Sequence, residues 1–180
     1  NTFDYSTFVG YSIFGNGTST LGQGLDTTQM KRLDWFTHQL RQRGIYYVFS
    51  FHGAWTPRAD DKVRQRDSIG RVSIFFDPGM QQLHRQIMSA LLSHTNRYTG
   101  LQYKNDPAVP FIIATDDGSL TAFWAYSQDV VRPNTQGSAS MSSVYIRYID
   151  SLYNSWLRGK GLTTDAAINA QWKTSPSNPA

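Results

Sequence analysis

Between Met30 and Leu40 apolar residues recur at intervals of three and four, through Leu33 and Phe36, with Thr37 on the same side. That spacing lays one stripe along a helix. The polar residues ahead of it supply a start signal. Asp26 can accept hydrogen bonds from the first backbone N–H groups and Gln29 can reach back, a capping-box pattern. Gly44 is placed to stop the helix. Directly after it runs Ile45-Tyr46-Tyr47-Val48-Phe49-Ser50-Phe51, almost continuously apolar and rich in β-favouring residues. Such a run predicts a strand buried on both faces, as parallel strands are.

The alternation repeats. Asp77-Pro78 is a capping carboxylate followed by a proline suited to the first helical position. Met80, Leu83, Ile87, Ala90 and Leu91 mark the stripe of this second helix, which is expected to end near Asn96. A turn-rich stretch to Pro107 leads into a second apolar run, Val109 to Ala114. Pro110 has no N–H for a ladder and so belongs where that strand begins. A third helix is expected from about Ser142 to Arg158. Val144, Tyr145, Tyr148, Ile149, Leu152, Tyr153 and Trp156 face inward in it, and Gly159 follows. Thr164 is the expected cap of a short helix through Gln171, and residues 175–180 read as a linker-like tail.

Helix and buried strand in alternation mean an α/β fold with parallel strands and helical crossovers. A length of 180 residues suits one domain, residues 1–174 before the tail. Two buried strands and three long helices do not close a parallel sheet, and a (β/α)8 barrel needs about 250 residues. The expectation is therefore part of a larger α/β domain, completed by further sequence or by another chain.

Composition narrows the classes. With 39% hydrophobic and only 17% charged residues the chain is not globally disordered. It has no run of about eighteen apolar residues, so no membrane span is expected. No basic-then-apolar signal follows Asn1, and any targeting segment is expected to lie outside the given chain. Zero cysteines exclude disulfides, thiolate metal sites and a cysteine nucleophile. The sequon Asn16-Gly17-Thr18 points to secretion, with Asn16 as a candidate glycosylation site. The net charge of +4 comes from scattered basic residues, and Asp60, Asp61 and Asp67 dilute the richest segment, Arg58 to Arg71. That reads as a solvated mixed-charge loop rather than a phosphate-binding face, and no nucleic-acid partner is expected.

Several longer segments carry a family resemblance. Leu33-Asp34-Trp35-Phe36, Gln39-Leu40-Arg41-Gln42-Arg43-Gly44-Ile45-Tyr46 and Phe51-His52 resemble the second helix and third strand of clan A glycoside hydrolases, the cellulase-like (β/α)8 barrel enzymes. Phe76-Asp77-Pro78, then Leu91-Leu92-Ser93-His94-Thr95-Asn96-Arg97-Tyr98-Thr99-Gly100-Leu101-Gln102-Tyr103 and Asn105-Asp106-Pro107-Ala108-Val109, look like the third helix and the approach to the fourth strand. Leu152-Tyr153-Asn154-Ser155-Trp156-Leu157-Arg158 resembles the fourth helix. The resemblance covers most of residues 26–172 and implies part of a TIM barrel, from about the second strand to the fourth helix.

It also implies a site. In that family the fourth strand ends in Asn-Glu, the Glu being general acid/base and the Asn holding the sugar 2-hydroxyl. The matching positions here are Asp116 and Asp117. Asp117 is then the proton donor, from a side chain one methylene shorter, and a displacement of about 1 Å can cost on the order of a hundredfold in rate. Neighbouring strand residues point to opposite faces, so Asp116 is not automatically the group that keeps Asp117 protonated. Glycoside hydrolysis needs a second carboxyl group. By resemblance it lies near the end of the seventh strand, outside this chain.

His52 ends the third strand, where barrel active-site residues sit. Trp55 and Trp124 offer flat faces on which sugar rings stack. Asp4 matches a polar cluster after the second strand, although Thr2 and Phe3 stand where histidines are expected. Read from the residues alone, Asp116-Asp117-Gly118 is a turn. On the same terms His52 is a structural histidine, and the two tryptophans are equally core or interface residues. His38, His84 and His94 fall on helices without carboxylates at metal-ligand spacing, so neither metal nor cofactor is assigned. The function expected is hydrolysis of a polysaccharide or oligosaccharide by a secreted parent protein, this chain alone being inactive. The alternative is a non-catalytic carbohydrate-binding or structural barrel module, which the Asp-for-Glu and Asp-for-Asn exchanges favour.

Overall fold

A computed structural model describes residues 13–14, 19–22, 24–51, 57–64, 73–114 and 142–172. The chain divides into two compact units, Asn1–Ser142 and Ser143–Ala180. Asp4, Asn16, His52, Trp55, Asp116, Asp117 and Trp124 lie outside the described residues, as does the tail from 175 to 180.

In the first unit helix α1 spans Thr27–Gln42. The Asp26 carboxylate accepts from the Gln29 N–H at 2.8 Å, which is half of the expected box. The Asp26 N–H donates instead to the Ile13 carbonyl at 2.7 Å, while the Gln29 side chain accepts from Arg32 at 3.4 Å. Met30, Leu33 and Thr37 are buried, and so is Asp34. At the far end Gly44 adopts φ +69°, a left-handed conformation that costs a side chain about 1–2 kcal/mol. The Ile45 N–H then returns to the Leu40 carbonyl and the Gly44 N–H to that of Arg41, both at 3.0 Å, a Schellman closure.

That closure shortens the strand. The run expected at 45–51 is extended and paired as strand β1 only at Phe49–Ser50, because the Ile45 N–H is spent on the helix and Ile45 and Tyr46 are exposed. Beyond them burial alternates: Tyr47, Phe49 and Phe51 are buried, with half-buried residues between. One face is buried and the other half-buried. The following helix, α2, spans Pro78–Ser93, with Asp77 accepting from the Gly79 N–H and proline in its first turn. Met80, Leu83, Ile87 and Leu91 are buried along it.

Strand β2, Ile112–Ile113, pairs with β1 in parallel, Phe49 against Ile112 and Ser50 against Ile113. The contact extends to both sides, from the Tyr47 N–H to Ala108 at 2.9 Å and from the Phe51 N–H to Ile113 at 2.8 Å. Pairing begins only after Pro110, as a residue without an N–H requires. The expectation of a buried second strand does not hold at Phe111 and Ile112, which are exposed. Among the described residues β2 has β1 as its one neighbour. Phe49, Phe51 and Tyr103 form the centre of the core with Leu33, Ile87 and Leu91.

The second unit holds α3, Ser143–Gly159, and α4, Asp165–Trp172. The Thr164 hydroxyl accepts from the Ala167 N–H at 3.2 Å, as expected of its cap. Gly161 rather than Gly159 takes the left-handed turn, at φ +75°, with the Leu162 N–H returning to Leu157 at 3.0 Å. The inward stripe expected along α3 is only partly buried: Tyr145 is buried, whereas Leu152, Tyr153 and Trp156 are exposed, and Leu157, outside that stripe, is buried instead. Tyr153 stacks on Trp156, and Trp156 meets Trp172 at a tilt, with ring centroids 5.9 and 6.2 Å apart. No helix among the described residues is long and apolar enough to cross a membrane.

Candidate functional site

Asp34 is a carboxylate on the apolar face of α1, 2% exposed, and such a group needs donors. Three come from the segment after α2. The Tyr103 hydroxyl donates to Oδ1 at 2.8 Å. His94, the C-cap of α2, brings Nε2 to 3.0 Å from both oxygens. The Arg97 N–H reaches Oδ2 at 3.3 Å. A nitrogen facing a carboxylate carries the proton, which leaves Nδ1 of His94 as the other ring nitrogen. Asn96, fully buried, donates to the Asp34 carbonyl and to the Thr37 hydroxyl, both at 3.0 Å.

The loop is shaped to deliver these groups. The Asn96 side chain accepts from the Tyr98 N–H at 2.9 Å, and Gly100, at φ +70°, returns its N–H to the Asn96 carbonyl at 2.8 Å. Thr95 and Gln102 then bridge in antiparallel fashion, and a single 3-10 turn, Tyr103–Asn105, follows. Asp106 ends that turn as a second buried carboxylate. It accepts from the Tyr47 hydroxyl at 3.1 Å and from the Ala108 N–H at 2.9 Å, and Arg41 approaches it at 3.6 Å.

Burial, and next to it the Asp34 charge with its hydrogen bond, pushes the Tyr103 hydroxyl well above the ordinary tyrosine range, against a lowering by Thr37. Burial and then the Asp106 charge do the same for Tyr47. Both phenols are thus held neutral, as donors. Burial pushes His84 below the ordinary histidine range. An open groove of about 320 Å³ runs past the Asp34–His94 pair and is lined also by Leu25, Met30, Lys31 and Arg97. With three donors on the Asp34 oxygens, this pair fastens α1 to the loop.

What the network positions is the sheet. The Asp106 contacts fix the start of β2 against Tyr47, two residues before β1, and the parallel register brings the two strands to their carboxyl ends side by side. His52 follows Phe51 directly, and Asp116 and Asp117 come two and three residues after Ala114. Among the described residues no group of three or more histidine or acidic side chains could hold a metal ion. Asp34, Asn96, Tyr103 and Asp106 were not legible as a network because their partners lie 59 to 69 residues apart; the one local signal was an aspartate inside an apolar stripe. His94, set aside as a helix residue without a carboxylate nearby in sequence, acquires one through the fold.

No protein-family model, curated protein or solved structure matches this chain.

Proposed function

We propose that this chain is part of a (β/α)8 barrel of a secreted protein that hydrolyses a polysaccharide or oligosaccharide. The observation that carries the reading is the parallel register of β1 and β2. In open and closed parallel α/β sheets ligands bind beyond the carboxyl ends of the strands, and there the chain continues into His52 from one strand and Asp116-Asp117 from the other. In this reading Asp117 protonates the leaving oxygen, Asp116 and His52 hold sugar hydroxyls, and Trp55 and Trp124 stack on ring faces. Asp4 belongs to the same polar rim and Asn16 carries a glycan. The second carboxylate comes from sequence outside the chain.

A second reading, a carbohydrate-binding module without turnover, is favoured by one specific feature: aspartate stands at both positions where glycosidases of the resembled clan carry Asn-Glu. Both readings are separated by comparing the full-length protein with Asp117→Asn on polysaccharides and oligosaccharides, measuring hydrolysis and binding together. Hydrolysis lost with binding kept supports the enzyme. Binding without hydrolysis by either form supports the module. Neither binding nor hydrolysis refutes both.

A further inference from the structure

We propose that the seam between α1 and the loop after α2 is a docking surface for an acidic peptide segment of a partner protein. Lys31 and Arg97 hold its carboxylates, and one apolar side chain anchors it in the groove that both residues line. The proposal stands apart from the glycan reading above.

The fold gathers charge that the sequence scatters. Residues 27–43 and 94–105 contain six basic residues against one acidic residue, Asp34, although the whole chain carries only +4. Arg32, Arg41 and Arg43 are engaged, by Gln29, Asp106 and Gln39. Lys31 and Arg97 line the groove of about 320 Å³, and neither pairs with a carboxylate among the described residues. Asp34 lines the groove as well, but it is buried and accepts from Tyr103, His94 and the Arg97 N–H. The two cations therefore set the sign of the groove, while Leu25 and Met30 give it apolar lining. Complementarity then asks for an anion that carries an apolar part.

The extent of the seam and its aromatic rim favour a peptide. Thr27, Lys31, Asp34 and His38 recur at spacings of three and four and so share one face of α1. From Thr27 to His38 that face runs about 16 Å, the span of about five extended residues. Tyr98 stacks on His38, with ring centroids 5.5 Å apart and planes 18° apart, and the Arg97 guanidinium lies 5.8 Å from the centre of the Tyr98 ring. That contact orders Arg97 in advance, which lowers the cost of binding. Trp35, four residues after Lys31, is 53% exposed and Tyr98 46%. Tryptophan, tyrosine and arginine are the residue types that dominate binding energy at protein interfaces. A nucleic-acid backbone, which gains affinity from many phosphate contacts in a row, would meet only these two cations in the groove.

The test is binding of a fluorescent peptide, four glutamates around one central leucine, to the full-length protein at low salt. Wild type is compared with Lys31→Gln/Arg97→Gln and with Arg85→Glu, which changes the net charge equally but does not line the groove. Equal thermal midpoints establish that the variants fold. Affinity should fall about tenfold in the double variant, stay within about twofold of wild type in Arg85→Glu, and fall about tenfold when serine replaces the leucine of the peptide. Amide exchange of the wild type, which needs no variant, should show protection by the peptide confined to residues 25–38 and 94–98. Equal affinity in the double variant, an equal loss in Arg85→Glu, or protection elsewhere overturns the surface. A wild-type protein that does not bind the peptide, or that binds a single-stranded oligonucleotide more tightly, overturns the proposed partner and the proposal with it.

Discussion

The Tyr103 hydroxyl donates to Asp34 Oδ1 at 2.8 Å, joining residues 69 apart in sequence, both buried. It also lies 3.3 Å from the Thr37 hydroxyl, and its ring meets Phe49 edge-on at 4.9 Å between centroids. One side chain thus ties α1, the loop after α2 and β1 into a single arrangement. Removing only the oxygen, by Tyr103→Phe, keeps the aromatic packing and leaves Asp34 one donor short. A destabilisation of about 1–3 kcal/mol is expected. Urea unfolding measures it, and a double-mutant cycle with Asp34→Asn should give a coupling of about 0.5–3 kcal/mol. A coupling near zero removes the network as a source of stability.

Gly79→Ala sets two effects against each other. Alanine is favoured over glycine inside a helix by about 1 kcal/mol. Here the added Cβ overlaps the Lys62 carbonyl oxygen and sits 3.2 Å from the Val63 Cα, both backbone atoms of a loop fixed at Asp61 and Asp77. Overpacking against backbone that cannot yield costs about 1–3 kcal/mol, so the net sign is destabilising. The thermal midpoint of the variant should fall, and a rise would show that residues 57–64 give way easily.

Stability should depend on pH in two windows. Tyr103 and Tyr47 have hydroxyls raised above the ordinary 10.0, chiefly by burial. The unfolded chain ionises them near pH 10 while the folded one keeps the protons, so their contribution is complete below pH 10 and lost as pH rises beyond it. His84 is lowered from 6.5 by burial. The unfolded chain binds that proton first, so stability is present above pH 6.5 and falls below it. Unfolding free energies measured across both windows should decline on each side. Tyr103→Phe should flatten the alkaline limb, and His84→Gln the acid one.

Helix starts and the stop of α1 were readable because they are local, whereas α2 ends at Ser93, short of the expected Asn96, and α3 turns at Gly161 rather than Gly159. Asp26, Asp77 and Thr164 cap with their own side chains, and Gly44 supplies the left-handed turn two residues beyond α1. The strands were readable in place but not in length. Whether Ile45 is strand or helix exit depends on an N–H that Leu40 claims, and whether Ile112 is buried depends on what lies beside β2. Composition could not report either. The same holds for Leu152, Tyr153 and Trp156, whose spacing defines a helical face without stating what covers it. Of the polar network only the oddity of Asp34 was visible, since hydrogen bonds across some sixty residues leave no spacing to read. Site residues named from the glycosidase resemblance came from the family's residue order and not from any periodicity.

The proton-donor role assigned to Asp117 makes one more expectation specific. A general acid contributes about 10²–10⁴-fold in rate when the leaving group is a poor one, such as a sugar hydroxyl. An activated aryl leaving group departs as a stabilised anion and gains little from that proton. Asp117→Asn in the full-length protein should therefore lose most of its rate on natural oligosaccharides and much less on an aryl glycoside. The carboxamide nearly preserves volume, so binding of both substrates should stay close to wild type. Measuring kcat/KM on the two substrate types, which ends at departure of the leaving group and leaves out any later step in which the same side chain acts as base, separates this role from a merely structural one, because a distorted site slows both alike. Equal losses on the two would remove Asp117 as the acid and leave the carbohydrate-binding reading to account for the site.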